Sequence, residues 1–200
     1  TIADKIQPYY RSGMIYMKWG EYDKAIEEFT EALKLSLENE DDNQWWNAHY
    51  YRRLGLVYFY KSDYVHASKN YLESFKLNES NEDYKKLSIK SLCSYGYVEE
   101  LLGNHELANE KMSECSSWIL ENRKEIENND HDTYETFWPL YLYHKHLNQE
   151  GKASKYLNMA YENIGEKQIE KYHTHPNKDT DPRFFWYRDI IKIYKASINQ

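Results

Sequence analysis

The chain has 200 residues, a net charge of −7 from 33 acidic against 26 basic side chains, and a heavy aromatic load of 21 Tyr, 6 Trp and 6 Phe. Seven Gly and four Pro are too few to punctuate a sandwich of many short strands, and an acid excess without a long basic run disfavours general nucleic-acid binding. No apolar run approaches the ~20 residues of a membrane span and no secretory leader opens the chain, so the expectation is an all-α, cytoplasmic protein.

The densest pattern comes first. Tyr9, Ser12, Gly13 and Tyr16 recur at three- and four-residue steps on one side of a predicted helix, Gly20 breaks the run, and Tyr22, Ala25, Phe29, Ala32 and Leu33 form a second helical stripe with Asp23 near its start. Small residues face large ones, as two helices folded back on each other require. The pattern returns at Tyr51, Leu54, Gly55, Tyr58, Tyr64, Ala67, Tyr71, Ser74 and Phe75, then at Leu92, Tyr95, Gly96, Gly103, Ala108, Met112 and Cys115. A weaker fourth copy reads Phe137, Leu140, Tyr141, Ala153, Leu157, Ala160 and Tyr161. The steps from Gly13 to Gly55 to Gly96 to Tyr141 are 42, 41 and 45 residues. Ser62 stands where the second copy needs a turn glycine, and Tyr141 and Asn148 replace both glycines of the fourth.

At these residues the chain resembles the tetratricopeptide repeat family, most specifically through Tyr9, Gly13, Tyr16, Gly20, Tyr22, Ala25, Phe29 and Ala32. The resemblance implies a right-handed solenoid of about four helix–turn–helix hairpins, at about residues 6–40, 44–79, 84–122 and 133–165, read as one repeat domain. The period exceeds the family's usual ~34 residues. The surplus falls in Asn-, Asp- and Glu-rich stretches at 38–43, 78–83 and 122–132, the last expected to hold the longest loop. Asp42 or Asn43, Asn81, and Asp132 or Thr133 are the expected N-caps of the helices that follow.

Beyond the fourth hairpin, residues 171–181 read as a linker, Asp181 as a cap, and 182–198 as a final amphipathic helix carrying Phe184, Phe185, Tyr187, Ile190, Ile191 and Tyr194. It is expected to cover the open face of the last repeat, with a homodimer through the same helix as the alternative. Pro139 falls inside the fourth copy's first helix, which predicts either a kink there or a later start. Cys93 and Cys115 form no disulfide framework or metal pattern and read as reduced packing residues.

The same resemblance puts a binding groove on the first helix of each hairpin. Its candidate lining is Tyr10, Arg11, Met14 and Met17 from the first, Arg52, Leu56, Phe59 and Tyr60 from the second, Lys90 and Tyr97 from the third, and Trp138, Leu142 and Lys145 from the fourth. Large rings interspersed with Arg and Lys suit a protein or peptide with apolar anchors and an acidic group. No catalytic motif, cofactor loop or metal-ligand spacing is present: His144 and His146, like His173 and His175, lie two apart with no cysteine nearby. Asn78-Glu79-Ser80 matches a glycosylation triplet by chance in this reading. The functional expectation is a non-enzymatic protein- or peptide-binding scaffold. A peptide-responsive regulatory module of a larger bacterial signalling protein is the alternative, suggested by the long period and by a chain that starts at Thr1 without methionine.

Overall fold

The computed structural model describes residues 2–38, 44–81, 84–122, 134–181, 185 and 187–198. Among them are ten helices and no strand: α1 (Ile2–Lys18), α2 (Tyr22–Leu37), α3 (Gln44–Tyr60), α4 (Tyr64–Asn78), α5 (Lys85–Leu101), α6 (His105–Glu121), α7 (Tyr134–His146), α8 (Glu150–Glu162), α9 (Glu166–Thr174) and α10 (Arg188–Ile198). They fall into two compact units, Thr1–Lys111 and Met112–Gln200, and α6 passes from one into the other. In the first unit α2 packs against α1 and α3, and α4 against α3 and α5; in the second, α8 packs against α7 and α10. This order of hairpins is that of a helical repeat solenoid.

Each hairpin turns in the same way. Gly20, Ser62, Gly103 and Asn148 have φ of 77°, 62°, 83° and 55°, so all four turn positions are left-handed although two are not glycine. Their backbone N–H groups donate to Met17, Phe59, Glu100 and Lys145 carbonyls at 2.9–3.1 Å. The next residue along, Glu21, Asp63, Asn104 or Gln149, donates to the Tyr16, Tyr58, Glu99 or His144 carbonyl at 2.8–2.9 Å. These paired bonds are a Schellman motif, which satisfies carbonyls the helix end leaves open. Asp63 also caps α4 by accepting from the His66 N–H at 3.2 Å.

The register that the turns set brings small residues against large ones. A Cβ at Gly13 would lie 2.8–3.0 Å from the Phe29 ring, and one at Gly55 would lie 2.8–3.0 Å from the Tyr71 ring. Only hydrogen fits at either position. Ala25, Ala67, Ala108 and Ala153, five residues after each turn position, are all buried, and so are Phe29, Tyr71, Met112 and Leu157 four residues further on. Burying a residue of this size stabilises by about 1.5–3 kcal/mol. Twelve further residues along from each Ala–large pair's turn lie other buried equivalents; Ser36 and Asn78, sixteen residues after their turns, are as buried as Ile119 and Ile164 at the matching places.

The chance reading of the glycosylation triplet fits the structure, because Asn78 has no exposed surface. Several other expectations need correction. Tyr9, placed on the packing stripe by its spacing, is 37% exposed. Asn81 does not cap α5: that helix starts at Lys85 behind Tyr84, whose N–H donates to the Asn81 carbonyl. The caps expected at 42–43 and 132–133, and the long loop at 128–132, lie outside the described residues. Helix α7 is continuous through Pro139 from Tyr134, so it does not start late. Cys93 and Cys115 are buried as expected, yet neither is free; both are disulfide-bonded.

The segment after α8 also differs. Lys171–Thr174 lie in α9 rather than in a linker, and the last helix starts at Arg188, not at 182. Asp179 ties the end of α9 to the start of α10. Its side chain accepts from the Tyr172 hydroxyl at 2.9 Å and pairs with Lys192 at 2.8 Å, while its carbonyl accepts from Arg188 at 2.9 Å. Within this unit Tyr194 stacks on Tyr161 of α8 at 3.8 Å and 11°, and Tyr187 meets Tyr134 edge-on at 6.2 Å. Thus α10 covers part of the last hairpin.

Candidate peptide-binding face

In the first unit the first helices of the hairpins are α1, α3 and α5, and they carry the predicted groove residues of the first three copies. Arg11 is exposed, and Tyr10, Met14, Lys90 and Tyr97 are half-buried. Met17 is not available: it has no exposed surface. It lies one turn beyond Gly13 and so shares that residue's packing side. Arg52 is only 5% exposed. Leu56 and Phe59 pack against the cluster of Ala67, Tyr71, Tyr95 and Val98 between hairpins. Phe59 also meets Tyr60 at 5.7 Å and Tyr97 at 5.9 Å, while Tyr60 stacks on Tyr22 at 6.2 Å. In the second unit Trp138 stacks on Tyr141 at 5.0 Å, Leu142 is half-buried, and exposed Lys145 pairs with Glu150 at 2.7 Å.

The start of α3 holds residues that the groove reading missed. His49 Nε2 and Tyr10 Oη share a hydrogen bond of 2.9 Å, the imidazole lies nearly parallel to Trp45 at 5.4 Å, and Trp46 stacks on Tyr50 at 6.1 Å. Arg52 and Arg53 follow His49 by three and four residues, on the same side of the helix. Arg53 is 6% exposed. Burial, then Arg53, Arg52 and Lys90 in that order, hold His49 well below the usual histidine value, so it is neutral. Burial and then Arg53 likewise lower Lys18. Tyr50 is pushed up to about 12 by burial and then by Tyr10. The signal for this cluster was present as His-x-x-Arg-Arg at helical spacing; counting outward from Gly55 stops at Arg52.

Charge is unevenly shared. The helices α1, α3 and α5 carry eight Lys or Arg against three Asp or Glu, and α3 has no acid at all, in a chain whose net charge is −7. Two of those three acids are turned to other work. Glu99 accepts from Ser68 and from Asn104 (2.6 Å), and Glu100 meets the His105 ring at 2.9 Å; both carboxylates are 4% exposed. The first-helix side is therefore locally basic and aromatic. Among the described residues no group of three or more His, Cys, Asp or Glu is placed to hold a metal ion. His144 instead bonds Gln149 at 2.8 Å and stacks on Tyr156. No described helix is long and apolar enough to cross a membrane.

A comparison with curated proteins returns no match. A family model described as tetratricopeptide repeat matches residues 4–80, which hold both complete hairpins of the first unit. Those two hairpins, with their Gly13–Phe29 and Gly55–Tyr71 packing, are the part of the chain that is similar to the tetratricopeptide repeat family.

Proposed function

We propose that this chain is a non-enzymatic scaffold that binds a protein or peptide on the first-helix side of α1, α3 and α5. The observation that carries the reading is the local charge: eight basic against three acidic residues on those helices, beside half-buried Tyr10, Met14 and Tyr97, in an acidic chain. Aromatic rings supply anchors, and the cations select an acidic group. Long-range repulsion by the net charge disfavours an acidic partner as a whole. Within about 10 Å, the Debye length at 0.1 M salt, the local charge decides. The partner is thus an apolar segment with an embedded or terminal acid, rather than a strongly acidic protein, a nucleic acid or a membrane.

Peptide display against the whole chain tests this. Selected peptides should lose binding to Arg11→Glu and Tyr97→Ala and keep it with Glu28→Lys on α2. Equal binding to all three variants would place the site elsewhere. In the same proposal the four hairpins form one repeat domain, and the compartment follows from the cysteines: free thiols fit the cytoplasm, bonded ones an oxidising compartment. A regulatory module of a larger signalling protein is the second reading, favoured by the period of 41–45 residues; an adjoining output domain would establish it.

A further inference from the structure

One side of α1 departs from the pattern that the later first helices follow. Ile15, five residues before the left-handed turn position, is 47% exposed, while Val57, Val98 and Tyr143 at the same place are at most 4% exposed. Ser12, eight before the turn, is half-buried, while Leu54, Tyr95 and Leu140 are at most 6% exposed. Pro8 is exposed and its three counterparts are buried. In the first unit this side is covered by the preceding hairpin: Tyr95 and Val98 of α5 share a cluster with Ala67 and Tyr71 of α4, and Tyr50 of α3 meets Tyr10 of α1 at 5.9 Å. On α1 the equivalent face is open to solvent, with Trp19 60% exposed.

The open face has the spacing of a helix seam. Lys5, Tyr9, Ser12, Tyr16 and Trp19 follow at steps of four, three, four and three residues, the repeat that keeps one stripe turned towards a partner helix. Pro8 and Ile15 flank the stripe. Arg11 and Met14 lie to the side of it, so a helix docked here leaves the binding face proposed above uncovered.

We propose that this face of α1 is the interface of a homodimer, in which α1 of a second copy lies antiparallel across it with the two Ser12 residues at the crossing. The face is complementary to itself. Reflection about Ser12 sets Tyr9 against Ile15, Pro8 against Tyr16 and Lys5 against Trp19 of the second copy. Large apolar side chains then meet one another, the small pair at the crossing lets the backbones approach, and the one charge lands on an indole face that attracts a cation. The contact also continues a surface that the fold already uses, since the same register is buried in α3 and α5. Stacking α1 on the last hairpin of another copy is blocked, because α10 covers part of that hairpin through Tyr194 on Tyr161. The association is therefore isologous and closes at two. A contact of one helix per copy falls short of the ~1,200 Å² that stable interfaces bury, which sets the dissociation constant on the order of 10 μM.

Sedimentation equilibrium of the whole chain, from well below to well above that concentration, tests the interface. A monomer–dimer equilibrium is expected, and Ile15→Lys or Trp19→Lys should weaken it at least about tenfold. Both positions are exposed, and unchanged circular dichroism would show that each variant folds. Ile198→Lys, at a 62% exposed position of α10, should leave the equilibrium unchanged. Ser12→Cys should form a covalent dimer with oxidised glutathione as the oxidant, because the two thiols meet at the crossing, and Glu27→Cys on α2 should not. A monomer at every concentration would overturn the proposal and leave the face to a different chain. A dimer indifferent to both α1 variants would overturn it as well, and its loss in Ile198→Lys alone would move the contact to α10. Cross-linking through Glu27→Cys but not Ser12→Cys would refute the antiparallel crossing.

Discussion

Replacing Gly13 by alanine sets a methyl carbon 2.8, 2.9 and 3.0 Å from three atoms of the Phe29 ring. Carbon atoms rest at about 3.5–4.0 Å, so the ring must retreat by roughly 0.5–1 Å. It has little room, being fully buried with the Tyr10 ring 5.9 Å away. Overpacking of this kind costs about 1–3 kcal/mol, while alanine in place of glycine within a helix recovers about 1 kcal/mol. The net expectation for Gly13→Ala is a loss of up to about 2 kcal/mol. Phe29→Ala, which empties the same contact, should cost about 3–5 kcal/mol. Gly13→Ala combined with Phe29→Leu lets the methyl enter space that the ring vacated, so the pair should fall short of additivity by about 0.5 kcal/mol or more. Urea denaturation followed by circular dichroism, with the slope checked for constancy, measures all three. A Gly13→Ala protein stabilised by the whole helical gain, with no coupling to position 29, would refute the close-packing argument.

The other expectations concern single positions. Ser62→Gly should raise stability by about 1 kcal/mol, because a non-glycine residue there bears the cost of a left-handed backbone, and Gly20→Ala should lower it by a similar amount; equal midpoints in urea would contradict the turn geometry. Asn78→Leu should be stabilising by about 1–2 kcal/mol, since the amide is fully buried and neither its oxygen nor its nitrogen has a hydrogen-bond partner among the described residues. A lower melting temperature for that variant would show that the amide is satisfied. Alkylation of unreduced, denatured protein should add no label to Cys93 or Cys115, and two after reduction; two labels before reduction would return both to the role of free packing residues.

The hairpins were legible because interhelical distance leaves few choices. Gly13 and Gly55 can face Phe29 and Tyr71 only at one register, and the sequence repeats that register. Ser62 and Asn148 hid the turn but not its position, since both adopt the backbone that glycine would. Side-chain exposure was less legible. Met17 and Met14 are alike in chemistry and differ by less than one helical turn, yet one is core and the other half-buried. Arg52 and Arg53 look like surface residues until the neighbouring helices are in place. Helix α9 left no stripe to find: of its nine residues only Tyr172 is buried, and a short polar helix of this kind depends on tertiary contacts such as that with Asp179. Two isolated cysteines carry no pairing information in their spacing.

The repeated turn also supplies a ruler. In every hairpin seven residues separate the Gly13-type position from the left-handed one, and five more lead to the buried alanine, whereas the distance between hairpins varies from 41 to 45. Length changes are therefore absorbed outside this twelve-residue interval, and an insertion within it would rotate one helix away from its partner. Divergent copies in adjoining sequence are best sought by that fixed interval, with Gly, Asn or Ser accepted at the turn, rather than by a constant repeat length.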